Sequence, residues 1–129
     1  MRAARSATAQ WDAARSFALS LPAAFEDFPW GMATIKVATG SKWPPVFLWL
    51  GDRDADRPAV YVKLTASYDE AVSVAGAQPT TISGVGKYGR LTISLPVGDF
   101  DRLLDWVEES YRDLAPKRLV AELDRSRSG

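Results

Sequence analysis

Apolar residues recur along this chain with two different periods. Between residues 8 and 21, Trp11, Ala14, Ala18 and Leu21 return at helical spacing with Phe17 beside them, which predicts an amphipathic helix ended by Pro22. MATIKVA (32–38) then alternates, Ile35 and Val37 against Thr34 and Lys36, as a half-buried strand does. VFLWL (46–50) is short, apolar and rich in β-formers, so it predicts a strand covered on both sides or central in its sheet. After the polar stretch GDRDADRP, AVYVKL (59–64) alternates again, and a hairpin is the economical connection.

Ser67 and Glu70 have the S-x-x-E spacing of a capping box, in which each side chain satisfies a free backbone N–H of the other's residue. They predict a short helix that carries Ala71, Val72 and Ala75 inward and stops at Gly76. PTTIS (79–83) reads as a short strand, GVGKYG (84–89) as a loop and RLTISL (90–95) as an alternating strand. Asp99 is placed to cap the longest helix, with Phe100, Leu103, Leu104, Val107, Tyr111 and Leu114 as its apolar stripe and Trp106 at the half-exposed rim. Pro116 opens a last helix, PKRLVAELD.

This order predicts an α+β fold: a two-layer sandwich in which helices pack on one face of a mainly antiparallel sheet. One domain over 1–129 is expected, with frayed ends near 1–6 and 125–129.

Composition narrows the chemistry. With 47% hydrophobic and 25% charged residues the chain reads as globular, and no run is apolar enough to span a membrane. The N-terminus lacks an apolar leader core, so a cytoplasmic location is expected. Cysteine and histidine are both absent, which excludes disulfides, the usual zinc ligand sets and Ser-His or Cys-His nucleophile pairs. An enzyme would have to rely on groups such as Glu26 or Asp27 with a lysine, so a non-enzymatic protein without a cofactor is expected.

Several motifs tempt and fail. GVGKYG matches G-x-G-x-x-G, but a strand-like segment follows it where a dinucleotide site needs a helix N-terminus. Asp52, Asp54 and Asp56 alternate as in a calcium loop, yet Arg57 stands at the glycine position and Lys63 at the bidentate acid. Trp43-Pro44-Pro45 is explained by a rigid entry to the next strand as readily as by polyproline recognition.

Strand parity gives a subtler constellation. If Ile35, Val37, Val60, Val62, Leu91 and Ile93 face the helices, then Lys36, Tyr61, Lys63 and Arg90 share the opposite face with Thr34, Thr92 and Ser94, and Lys87 lies at its margin. Such a face suits DNA or another polyanion, weakly and in a salt-sensitive way, with Tyr61 available for stacking. The alternatives are an open sheet kept soluble by lysines and a homodimer or other protein-interaction surface. The sixteen basic and sixteen acidic residues cancel, with pI near 6.2, so no strong overall field favours nucleic acid.

FEDFPWG (25–31) reads as a structural corner where the first helix hands over to the sheet. Its aromatics plug the end of the core, and Glu26 and Asp27 sit against the helix dipole unless they pair with Lys36 or Lys63.

LSLPAAFEDFPWG, the IKV strand, VYVKL ahead of the short capped helix, RLTISL and WVEESYRDLAPKRLVAEL together resemble the MmcQ/YjbR family, from about Phe17 to Leu123. The resemblance implies a compact α+β domain of frataxin-like or double-wing topology, and its members are often described as DNA-binding. It singles out Pro29, Gly31, Lys63, Ser110 and Tyr111; where many members have a tryptophan before the last strand, this chain has Tyr88. The function expected is a non-enzymatic binding domain that takes DNA or another anionic partner on Lys36, Tyr61, Lys63, Lys87 and Arg90.

Overall fold

The computed structural model describes residues 6–28, 31–79 and 90–128. In chain order it contains α1 (Ala7–Leu19), β1 (Ala24–Asp27), β2 (Ala33–Val37), β3 (Val46–Leu50), β4 (Ala59–Lys63), α2 (Tyr68–Ala75), β5 (Gln78–Pro79), β6 (Arg90–Ser94), α3 (Phe100–Leu114) and α4 (Lys117–Ser128). The strands form one antiparallel sheet in the order β1-β2-β3-β4-β6-β5. The fold is thus α+β, as the alternation of periods predicts.

The expected parity holds for the apolar positions, while Thr34, expected on the open face, is fully buried with its hydroxyl donating to the Asp27 carbonyl. Ile35, Val37, Leu48, Leu50, Val60, Val62, Leu91 and Ile93 are buried in one core with Ala18, Ala71, Leu103, Val107, Leu119 and Leu123 from the four helices. All helices therefore pack on one side, and the opposite side of β2, β3, β4 and β6 carries Lys36, Trp49, Tyr61, Lys63, Thr92 and Ser94, all half-buried. No helix among the described residues is long and apolar enough to cross a membrane.

The central strand departs from ideal alternation. Between β2 and β3 the register shifts: Ile35 faces Leu48 while Lys36 faces Val46, leaving Phe47 as the extra residue of a bulge. Phe47 and Leu48 are both fully buried, and Phe47 meets the Tyr111 ring edge-on at 5.2 Å between centroids. The other side of β3 is disturbed at the same place. Leu48 pairs with Val62 and Leu50 with Val60, so an uninterrupted ladder would join the Phe47 carbonyl to the Lys63 N–H. Instead Ser110 of α3 inserts its hydroxyl: the Lys63 N–H donates to Oγ at 3.0 Å, and Oγ donates to the Phe47 carbonyl at 2.5 Å.

Several expectations need correction. AFED (24–27) is not merely a corner but an edge strand, paired with β2 from Ala24↔Val37 to Asp27↔Thr34, and Phe25 and Phe28, expected to plug the end of the core, are exposed because that edge lies beyond it. The capping box does not close: Ser67 donates its hydroxyl to Glu109 of α3, whose carboxylate also accepts the N–H groups of Thr65 and Ser67. Glu70 turns instead to the Trp106 indole N–H at 3.2 Å, so Trp106, only 2% exposed, is core and not rim. The buried stripe of α3 is accordingly Leu103, Trp106, Val107, Ser110 and Tyr111, one step round from the pattern of purely apolar letters. Val72 is exposed where an inward position is expected, because Ala71 alone of α2 is buried.

Residues 1–5 and 129 of the ends expected to fray lie outside the described residues; those that are described cap or continue a helix. Ser6 caps α1, its Oγ accepting from the Ala9 N–H, and α4 runs on to Ser128. Its last turns are tied to α3 by Arg112 with Asp124 and by Arg127 with Glu108. Burial alone would raise the Glu108 pKa, but hydrogen bonds from Arg127 and Arg112 outweigh it and hold the carboxyl below its usual range.

Ser110→Ala leaves a buried N–H and a buried carbonyl unpaired without creating a large void. A loss of about 1–3 kcal/mol is expected from urea unfolding; a loss below roughly 0.5 kcal/mol would mean that the strands close the gap on their own.

Candidate binding face of the sheet

The helix-free face brings together most of the residues singled out from the sequence, but most of their charge is already engaged. Lys36 projects from β2 beside β1, and its Nζ lies 2.7 Å from Asp27 Oδ2. Asp27 also accepts the Phe28 N–H at 2.8 Å. The Lys36 ammonium first and that N–H second hold its carboxyl below the usual aspartate range. Its neighbour Glu26 pairs with Arg15 of α1. The acids of FEDFPWG therefore fix β1 to its two flanks.

Lys63, at the end of β4, reaches around to α3, with Nζ 3.4 Å from Asp113. Arg90 is its register partner on β6. The Arg90 guanidinium stretches over β4 to donate to the Val46 carbonyl at 3.3 Å, and burial pulls its pKa below the ordinary value. It closes from the open side the same split that Ser110 fills from the helix side. Tyr61 faces Trp49 on β3 and Thr92 on β6, with its ring against Gly51; a Cβ on Gly51 would come within 3.6 Å of Cε1 and Oη. Lys87 and Tyr88, the rest of GVGKYG, the remainder of PTTIS, and Pro29 and Trp30 lie outside the described residues.

The same face holds a cleft that strand parity does not reveal. Phe25 and Asp27 of β1, Lys36 of β2, Val46 and Trp49 of β3 and Lys42, Trp43 and Pro44 of the β2–β3 connection line about 620 Å³, with Asp27 as the one acid among them, paired to Lys36. Trp43 is 79% exposed and Phe25 37%. Lys42 stands 5.6 Å from the centre of the Trp43 ring and has no carboxylate within ion-pair distance among the described residues. Trp49 carries a buried indole N–H with no acceptor among the described residues.

The bulge builds this cleft. By turning Phe47 inward beside Leu48 it returns Val46 to the open face, opposite Lys36. In the sequence VFLWL reads as uniformly apolar, and WPP as a strand entry. The signal that could have found the cleft is Trp43, a large apolar residue in an otherwise polar connection.

The three alternating acids of residues 52–56 make no cation site. Asp52 accepts the Asp54 N–H, Asp54 pairs with Arg53, and no group of ligating side chains suited to a metal occurs among the described residues.

No family model matches the chain, and no curated protein matches it. Among solved structures, the crystal structure of the Deinococcus radiodurans protein DR2400, which carries the domain DUF419, is similar to it with a TM-score of 0.67 and 19% identity. The match covers 88% of this chain and 86% of that one. DUF419 is the MmcQ/YjbR-type family, and at this identity the likeness shows a shared fold.

Because the Asp27 pKa is lowered in the folded protein, its pair with Lys36 contributes stability above the unfolded-state pKa. That contribution is lost as pH falls through the folded-state value. Carboxyl NMR titration is expected to place Asp27 below an ordinary aspartate and to move it upward in Lys36→Met; an unchanged midpoint would mean that the pair is not formed.

Proposed function

We propose that this chain is a binding module that takes single-stranded DNA, or a comparable anionic strand bearing flat rings, on the helix-free face of its sheet. The observation that carries the reading is the Trp43 cleft: an indole 79% exposed beside Phe25, Val46 and Trp49, with Lys42, which has no carboxylate partner among the described residues, at its rim, and with Asp27 in its wall already paired to Lys36. Exposing that much aromatic surface to water costs free energy unless something covers it, and bases stack on such side chains at about 1–3 kcal/mol each. Binding is assigned to the cleft more than to the sheet cations at large, because Lys36 and Lys63 are paired and Arg90 is partly desolvated.

A catalytic use of the corner acids is disfavoured by the same geometry. A general acid near neutral pH needs a raised carboxyl pKa, and that of Asp27 is lowered.

Tryptophan fluorescence and anisotropy titrations with oligothymidylate at low salt test the reading. Trp43→Ala and Lys42→Glu are each expected to weaken binding about fivefold or more, while the triple variant Lys36→Glu/Lys63→Glu/Arg90→Glu tests the wider face. Wild-type protein that binds no oligonucleotide, or variants at Trp43 and Lys42 that bind equally well, would reject it. A second reading, a homodimer across the same cleft, is favoured by the exposure of both Phe25 and Trp43. Sedimentation then shows a dimer that Trp43→Ala dissociates, and a monomer at all concentrations removes this reading.

A further inference from the structure

We infer that the bound strand crosses the sheet perpendicular to its β-strands, from the Trp43 cleft over Tyr61 to a second cavity that carries Arg57. This rests on the binding function proposed above and deepens it: the site is a track for several linked phosphates, not a pocket for one ring.

The second cavity encloses about 570 Å³ at the other side of the sheet. Its polar lining is Arg57 from the β3–β4 connection, Gln78 of β5, and Thr92 and Ser94 of β6, with Val74 and Val97 as apolar wall. Among the described residues no carboxylate lines it, whereas Asp27 lines the first. Arg15, Arg53, Arg102, Arg112 and Arg127 each have a carboxylate partner, whereas Arg57 has none within ion-pair distance among the described residues. The two cations left without carboxylate partners in these cavities, Lys42 and Arg57, thus stand toward opposite edges of the sheet, the second where β6 and β5 meet the end of α2.

The register supplies the path between them. Trp49 pairs with Tyr61, Tyr61 with Thr92, and Thr92 with Gln78, so these four form one row across the sheet. Trp49 lines the first cavity, Thr92 and Gln78 line the second, and Tyr61 stands between them in the row. Three strand spacings make this row about 15 Å long, a span suited to roughly four nucleotides, the lower end of known single-strand site sizes. At mid-track the Tyr61 ring lies beside Gly51, at ordinary contact distance from where a Cβ would stand. Opposing terms are present and local: Asp56 adjoins Arg57 in sequence, and the C-terminal turn of α2, which presents carbonyls, borders the second cavity at Gly76. Phosphate contact is therefore assigned to the guanidinium side of the cavity.

Length dependence separates this inference from the simpler reading. Thymidine dinucleotide and tetranucleotide are titrated against wild type, Arg57→Glu, Tyr61→Ala and Tyr61→Phe, with Arg125→Glu on α4 as a surface control and circular dichroism to verify folding. The tetranucleotide is expected to bind wild type about tenfold tighter than the dinucleotide. Arg57→Glu should abolish that gain and leave dinucleotide affinity unchanged. Tyr61→Ala should weaken the tetranucleotide about fivefold or more, with Tyr61→Phe restoring it. Equal affinity for the two lengths, or Arg57→Glu weakening both alike or neither, overturns the track while leaving the cleft standing. No binding of either oligonucleotide overturns both.

Discussion

The hydroxyl of Ser110 between β3 and β4 is the constraint on which the remaining arrangement turns. A continuous antiparallel ladder would keep the two central strands paired to their ends, with Phe47 bonded to Lys63. Inserting a side chain from α3 replaces that bond by two others and fixes the helix against the split it creates. Tyr111, the next residue, completes the anchorage: its ring packs against Phe47 and its hydroxyl donates to the Pro22 carbonyl at 2.7 Å, tying the α1–β1 turn to α3. Consecutive residues of one helix thus determine how the sheet opens and where the first helix hands over to it.

The same split explains why a face that looks basic in the sequence is only weakly so in the fold. Lys63 and Arg90 lie at the opened end of β4, where backbone groups and an acid of α3 compete for them. Their heads are drawn toward protein partners and away from any strand lying on the sheet. Across the bulge, Lys36 faces the edge strand that the acids of FEDFPWG hold in place, and Asp27 takes its charge. Among the described residues that line the two cavities, Lys42 and Arg57, both on connections, have no carboxylate within ion-pair distance.

Periodicity made the architecture legible: α1, β2, β4, β6 and α3 all follow from apolar spacing, and the two-layer α+β arrangement follows from their order. The departures share one cause, a polar or irregular position whose role is set by a distant partner. Gln10 is buried in α1 because its amide meets both the N–H and carbonyl of Val97. Ser110 is buried for the strands, Glu109 displaces the capping box, and Glu70 draws Trp106 inward. None of these bonds is local in sequence, so spacing could not reveal them. AFED escaped notice because an edge strand of four residues with two acids has no apolar alternation to show. The cleft escaped because one bulged residue changes which face Val46 occupies, and parity counted from the sequence has no means of placing a bulge.

The residues that carry the family resemblance and the residues that form the cleft are largely different sets, and this bears on how fold and function relate here. Lys63, Ser110 and Tyr111 all act at the split or at the α1–β1 turn, so they specify architecture, which is what a structural likeness at 19% identity also reports. Lys42, Trp43 and Trp49 do nothing comparable for the core. Trp43 contributes little burial, and the Trp49 indole keeps a buried donor unpaired at a cost of about 1–3 kcal/mol that phenylalanine would avoid. Side chains that stability does not require, gathered on the one face the helices leave open, are where a role beyond the fold is to be sought.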